Sequence, residues 1–268
     1  MIGFCPLASG SKGNCLYLGI ENTKILIDLG ITKTGLIERL QAIAVVPEEI
    51  DAVFISHEHW DHISGLKTFI KAFDVPVITN LETAQAVYNQ LDFLPKFKIF
   101  STGSYFDFRD LRIKSFNTCH DAIDPVGFVI ETGKFKIGIC TDLGHITPPV
   151  KQGLLGCDYL YLESNHDVAM VHNSNRSTVH KNRILSKMGH LSNEDCGKIL
   201  QIIAGPQLRQ VYLAHLSEEC NSRKKALETV LSYTKELPIK ITIAEQHTIS
   251  LPCYFECSNE KALKNFFD

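Results

Sequence analysis

The 268-residue sequence carries no excess of charge of either sign, since 27 Lys and Arg stand against 30 Asp and Glu for a net charge of −3. That balance gives no overall attraction to nucleic acid, so any polyanion has to be bound by local basic patches or by metal ions. No apolar run approaches the roughly 20 residues that cross a bilayer, which argues against a membrane role. There is no C-x-x-C pair among the nine cysteines, and no charged-then-apolar leader opens the chain. Free thiols in a reducing, cytoplasmic compartment are therefore the expectation. The one glycine-rich stretch, Ser9 to Asn14, fits neither a P-loop nor a dinucleotide fingerprint. No internal sequence repeat is visible. What remains is a 44% hydrophobic chain with ample length for a packed core.

The chemistry is densest in VFISHEHWDHISG, Val53 to Gly65, where His57, His59, Asp61 and His62 follow directly on an apolar run. Val53, Phe54 and Ile55 read as a buried strand ending at Ser56, so His57 and His59, two apart, leave it on one side. Asp61 and His62 open a segment whose Ile63, Leu66, Phe69, Ile70 and Phe73 recur at helical spacing. They are aimed back at the same place from a helix N-terminus. Imidazole suits Zn, Fe or Mn, and a carboxylate adds a hard donor. The rival H-E-x-x-H zinc signature fails, because Asp61 stands where its second histidine is required.

HEHWDH resembles the H-x-H-x-D-H signature of the metallo-β-lactamase fold hydrolases. The resemblance implies that His57 and His59 bind one metal ion and that Asp61 and His62 bind another. Further motifs follow it along the chain. KILIDLG is a strand ending in Asp28, which the family uses to support the histidine loop by hydrogen bonding. His120, at the end of a strand in FNTCH, corresponds to the third ligand of the first metal. KFKIGICTDLG delivers Asp142, the expected bridge between the metals. The GHLSNED helix start and the strand RQVYLA, ending at His215, are similar to the RNase Z branch. Carried over by position, His190 assists catalysis and His215 completes the second metal site.

Closer still, LASGSKGN, SHEHWDHISGL, TDLG, ESNHD, RILSKMGHLSNED and YLAHLS resemble the YycJ/WalJ/VicX group of small bacterial proteins of this fold. The likeness runs from about residue 3 to 225. It implies one domain over residues 1–268, a four-layer αββα sandwich, with a tail from about 252 to 268 left unassigned. His166 in ESNHD is placed either against substrate or as a loop anchor, and Ser192 beside His190 against substrate. The run RSTVHKNRILSK, with Arg176, Lys181, Arg183 and Lys187, is a solvated helix face by default and a phosphate-tracking surface as the alternative. His145, His172, His180 and His247 are expected on surfaces or loops.

This ligand set implies two divalent ions, Zn, Mn or Fe, that lower the pKa of a shared water and stabilise the leaving oxygen. Asp61, Asp142 and His190 are the residues expected to act in catalysis. Ligands alone do not choose among phosphodiester, thioester, lactone and β-lactam substrates. A histidine outside the ligand set, His190, favours phosphodiester hydrolysis, because it can assist a departing phosphoryl oxygen. The expected activity is attack of a metal-bridging hydroxide on nucleic acid, DNA in particular, as a 5′ to 3′ exonuclease. The alternatives are a thioester or lactone hydrolase of the glyoxalase II type and a non-catalytic regulatory partner of a two-component signalling system.

Overall fold

The protein is described here from a computed structural model over residues 1–255. Two seven-stranded mixed sheets stack face to face. The first contains β1 (Gly3–Ala8), β2 (Cys15–Gly19), β3 (Lys24–Ile27), β4 (Ala52–Phe54), β5 (Val77–Asn80) and β6 (Phe97–Phe100). The second contains β7 (Tyr105–Phe108), β8 (Leu111–Asn117), β9 (Val126–Glu131), β10 (Lys136–Cys140), β11 (Tyr159–Glu163), β12 (Gln210–Ala214) and β13 (Lys240–Ile243). A last strand, β14 (Cys253–Tyr254), returns to the outer edge of the first sheet, antiparallel to β1. Part of the unassigned tail is thus a strand, and residues 256–268 lie outside the described residues.

Strand alternation builds the layers. Successive side chains on a strand point to opposite faces. Leu16, Leu18, Ile25, Ile27, Ala52 and Phe54 accordingly enter the core between the sheets. Their neighbours Cys15, Tyr17, Leu26, Val53 and Ile55 enter a second core beneath the helices Lys33–Ala42 and Leu66–Phe73. A third core lies on the far side of the second sheet, where Leu160, Leu162, Val211 and Leu213 meet Ile199, Leu200 and Ile203 of the helix Asn193–Ile203. Three apolar layers separate four layers of structure, as the αββα expectation requires.

This packing sets the register of the metal-rich loop. Phe54, fully buried, meets Phe108 and Phe128 edge to face at 5.7 and 6.0 Å. Burying such a ring contributes about 1.5–3 kcal/mol. A slip of one residue in β4 would turn Phe54 out of the central core and take His57 with it. Both sheets also repeat one plan. β1, β2 and β3 are antiparallel neighbours and β4 to β6 continue in parallel. Likewise β8, β9 and β10 are antiparallel and β11 to β13 continue in parallel.

Candidate metal centre

The expected ligands and their supporting Asp28 all follow the C-terminal ends of strands. Asp28 follows β3, His57 to His62 follow β4, His120 follows β8, Asp142 follows β10 and His215 follows β12. Three of these residues, Asp28, Asp142 and His215, turn the chain with φ of 58°, 58° and 55°. For residues other than glycine that left-handed backbone is unfavourable by about 1–3 kcal/mol, and it persists only where surrounding contacts enforce it. Here they do. Asp28 N–H donates to the Phe54 carbonyl at 2.7 Å, and His215 N–H donates to Ser9 Oγ at 2.8 Å. Ser9 also accepts from the Tyr161 hydroxyl at 2.7 Å, so the N-terminal loop ties the two sheets together beside the site.

Potential ligand atoms of His57, His59 and His120 lie within 4.8 Å of one another, and so do those of Asp61, His62 and His215. Asp142 falls within the same reach of His57 and His62 on one side and of His190 and His215 on the other. Hydrogen bonds determine which ring nitrogen each histidine leaves free. His62 Nδ1 donates to Asp28 Oδ2 at 2.8 Å, and His120 Nδ1 donates to the Gly189 carbonyl at 2.9 Å. Ser56 Oγ donates to Asp28 Oδ2 at 2.9 Å and therefore accepts from His57 Nδ1, also at 2.9 Å. Asp28 thus orients two imidazoles, one directly and one through Ser56. His59 is reversed, with Nε2 donating to the Asp121 carbonyl at 3.2 Å and Nδ1 left over.

The donor set fits metal ions on a further ground. His57 Nε2 and Asp142 Oδ2 are buried without any hydrogen-bond partner. An unmet buried polar atom costs about 1–3 kcal/mol, so two on facing ligands call for a cation. Burial, with His62 next in effect, pushes His57 well below the usual imidazole range, which keeps it a neutral ligand. Burial also opposes the charge on His62, but Asp28, Asp61 and Asp142 outweigh it and push that imidazole well above its usual range.

Two supporting residues escaped the sequence reading. Asn14 Nδ2 donates to Asp61 Oδ2 at 3.1 Å and lies 3.0 Å from His62 Nε2. Glu163, at the end of β11, is fully buried. Its Oε1 accepts from His190 Nδ1 at 2.8 Å and from His215 Nδ1 at 3.0 Å. Its Oε2 accepts from the backbone N–H groups of Leu143 and Leu191 at 3.0 and 3.1 Å. Although burial disfavours its charge, His190 and the other donors hold it below the usual carboxylate range. One carboxylate thereby orients His190 and His215 and braces the Asp142 turn. A carboxylate closing the strong strand DYLYLE, as Asp28 and Asp142 follow theirs, was the available signal.

A cavity of about 260 Å³ opens over these groups, lined by His59, Asp61, His120, Asp142, His190 and His215 together with Ser11 and residues of the helix Thr178–Leu185. His190 is partly exposed there and offers Nε2. The expectation for His166 and Ser192 is corrected. His166 is buried, outside the cavity wall, and bridged to Ser192 through its backbone. Burial pushes its imidazole down to about 4. Ser192 caps the helix Asn193–Ile203, accepting from Asp195 N–H at 3.1 Å. Both act as loop and helix anchors. His180 is exposed on the surface, as expected, and also lines the cavity.

Gly30 holds the loops in register, because a Cβ there would sit 1.6 Å from the Asp61 carbonyl oxygen. Gly30→Ala is expected to destabilise the fold by about 3 kcal/mol and to lower metal content, read by urea unfolding and metal analysis. Unchanged values for both would show that the Asp61 loop yields freely.

A stacked pair of mixed sheets with histidines and aspartates gathered at one edge defines a metal-dependent hydrolase. Residues 23–216 match the Beta-lactamase superfamily domain, and the chain belongs to that family. It is 33% identical over 236 residues to exodeoxyribonuclease YycJ of Bacillus anthracis, covering 87% of this chain and 89% of the relative. It is 32% identical over 242 residues to exodeoxyribonuclease WalJ of Streptococcus pneumoniae, covering 88% and 90%. Among solved structures, the metallo-beta-lactamase fold protein YhfI from Bacillus subtilis superposes with a TM-score of 0.70 at 15% identity, over 92% of this chain and 97% of that one.

Proposed function

We propose that the protein is a two-metal phosphodiesterase that degrades DNA from an end, in the 5′ to 3′ direction. The observation that carries this reading is His190, which faces the cavity outside the metal-ligand set and is held there by Glu163 at 2.8 Å. The relatives' names, exodeoxyribonucleases YycJ and WalJ, support the same substrate. His57, His59, His120, Asp61, His62, His215 and Asp142 would hold the divalent ions, which when bound would supply Lewis acidity and an activated water. Zn, Mn and Fe all suit this mixed nitrogen and oxygen set.

The chain's own residues do the rest. Asp28 and Ser56 fix the tautomers of His57 and His62, so that each presents Nε2. Glu163 does so for His215. Glu163 also accepts a hydrogen bond from Nδ1–H of His190, so that with both ring nitrogens protonated the imidazole can pass its Nε2 proton to the departing oxygen and stay on Glu163 as the neutral ring. Placing that group within reach of the leaving oxygen contributes about 10²–10⁴-fold.

His190→Ala is expected to lower kcat on 5′-phosphorylated DNA by about that factor while leaving metal content intact. Wild-type turnover by this variant would remove the basis for phosphoryl chemistry. Release of product from a thioester, with no cleavage of any nucleic acid by the metal-loaded protein, would replace the proposal with thioester hydrolysis.

A further inference from the structure

The helix Thr178–Leu185 buries none of its side chains, so core packing does not account for its composition. Yet Arg176, His180 and Arg183 line the same cavity as Asp142 and His190. Their spacing, four and then three residues, places them on one helical face and its N-terminal extension. The other basic residues of the run play no such part. Lys181 is turned to the His172 carbonyl, and Lys187 is not on the cavity wall.

Both arginines are held lightly. Arg183 Nε donates to Asp121 Oδ2, and Arg176 Nε donates to Glu219 Oε2 at 2.8 Å. The members of these pairs are 56% and 33% exposed in the first and 33% and 64% exposed in the second. Exposed ion pairs of this kind bind weakly. Among the described residues neither arginine's Nη groups make a protein hydrogen bond, so the part of each guanidinium that forks onto a phosphate is free. In a chain of net charge −3, cations on the wall of a metal cavity form a local device for an anion.

We propose that Arg176 and Arg183, with His180 between them, bind substrate phosphates next to the scissile one. Asp121 and Glu219 hold the two guanidiniums in position until phosphate takes them over. The inference rests on the nucleic-acid reading and names the chain's means of gripping the strand. Asp121, which also lines the cavity, and Glu219 act here as placeholders for the phosphates.

The test is fluorescence anisotropy of a labelled single-stranded oligothymidylate with a nuclease-resistant phosphorothioate backbone, titrated with metal-loaded protein over a salt series. R176Q/R183Q is expected to raise Kd about tenfold and to flatten the dependence of log Kd on log salt by about 0.7 per lost phosphate contact. D121N/E219Q is expected to bind at least as tightly as wild type. The proposal is overturned by a wild-type Kd and slope in R176Q/R183Q, or by equal weakening in both double variants, since the arginines would then only brace the helix. Failure of the wild-type protein to bind the oligonucleotide also overturns it. Hydrolysis of bis(p-nitrophenyl) phosphate by the wild type, a diester with no neighbouring phosphate, tests the phosphodiesterase reading separately and needs no grip on a strand.

Discussion

Asp142→Ala is expected to lower kcat/KM on DNA by at least about a thousandfold, close to 4 kcal/mol of transition-state stabilisation, and to strip metal from the protein. The carboxylate is 2% exposed and stands among both ligand sets. Its Oδ2 lies 3.3 Å from His62 Nε2, and its Oδ1 lies 3.7 Å from His120 Nε2 and 3.5 Å from His215 Nδ1. Burial works against its charge, but His215, His62 and His120 hold it well below the usual carboxylate range. Alanine removes the only group expected to touch both ions and leaves His62 and His215 facing each other with less neutralising charge. Metal analysis beside the kinetics checks the cause. Retained metal with full activity would end the bridging assignment.

Glu163→Gln is expected to be nearly as severe, with about a hundredfold or greater loss of kcat and about 10–100-fold weaker metal binding at the His215 site. The isosteric amide can still accept from Leu143 and Leu191 N–H through its oxygen, so the Asp142 turn is kept. The other end of the side chain then presents N–H groups to His190 Nδ1 and His215 Nδ1, both of which now donate to Oε1. His215 must then shift its proton to Nε2, the atom it needs for a metal, and His190 loses the carboxylate that holds its Nδ1–H while it delivers the Nε2 proton. Activity, metal affinity and urea unfolding separate the outcomes. If stability falls while metal binding and kcat do not, Glu163 only supports the fold.

The expected ligands were legible through the resemblance of HEHWDH and the motifs after it, and each follows the C-terminal end of an apolar strand. His57, His59, Asp61 and His62 repeat that signal within one loop, and TDLG repeats it at Asp142. Glu163 obeys it too, but a lone carboxylate at a strand end is common. Its meaning depends on His190, Leu191 and His215, which lie 27, 28 and 52 residues further on. The repeated sheet plan was equally hidden. Only strand order shows that KILIDLG after β2 and KIGICTDLG after β9 occupy matching places, one aspartate supporting a ligand and the other expected to be one. Ser192 misled because proximity to His190 along the chain does not fix the direction of a side chain, and for His166 the strand end alone left substrate contact and loop anchor equally open. His180 is on the surface as read, but a helix of mixed polarity does not declare which face meets the cavity.

The pairing of β14 with β1 bears on the order in which the molecule can be made. β2 pairs with one edge of β1, while on the other edge Gly3 and Phe4 pair with Tyr254 and Cys253, and Pro6 accepts from Ser250 N–H at 3.0 Å. At a synthesis rate of about 5–20 residues per second, the ribosome delivers those partners some 12–50 s after β1 has emerged. Throughout that interval β1 is an open sheet edge beside an unfinished core, the kind of surface that recruits other strands. Closure of that edge therefore waits for β14, and the metal cleft, which needs His215 N–H on Ser9, cannot be assembled before residue 215 has emerged.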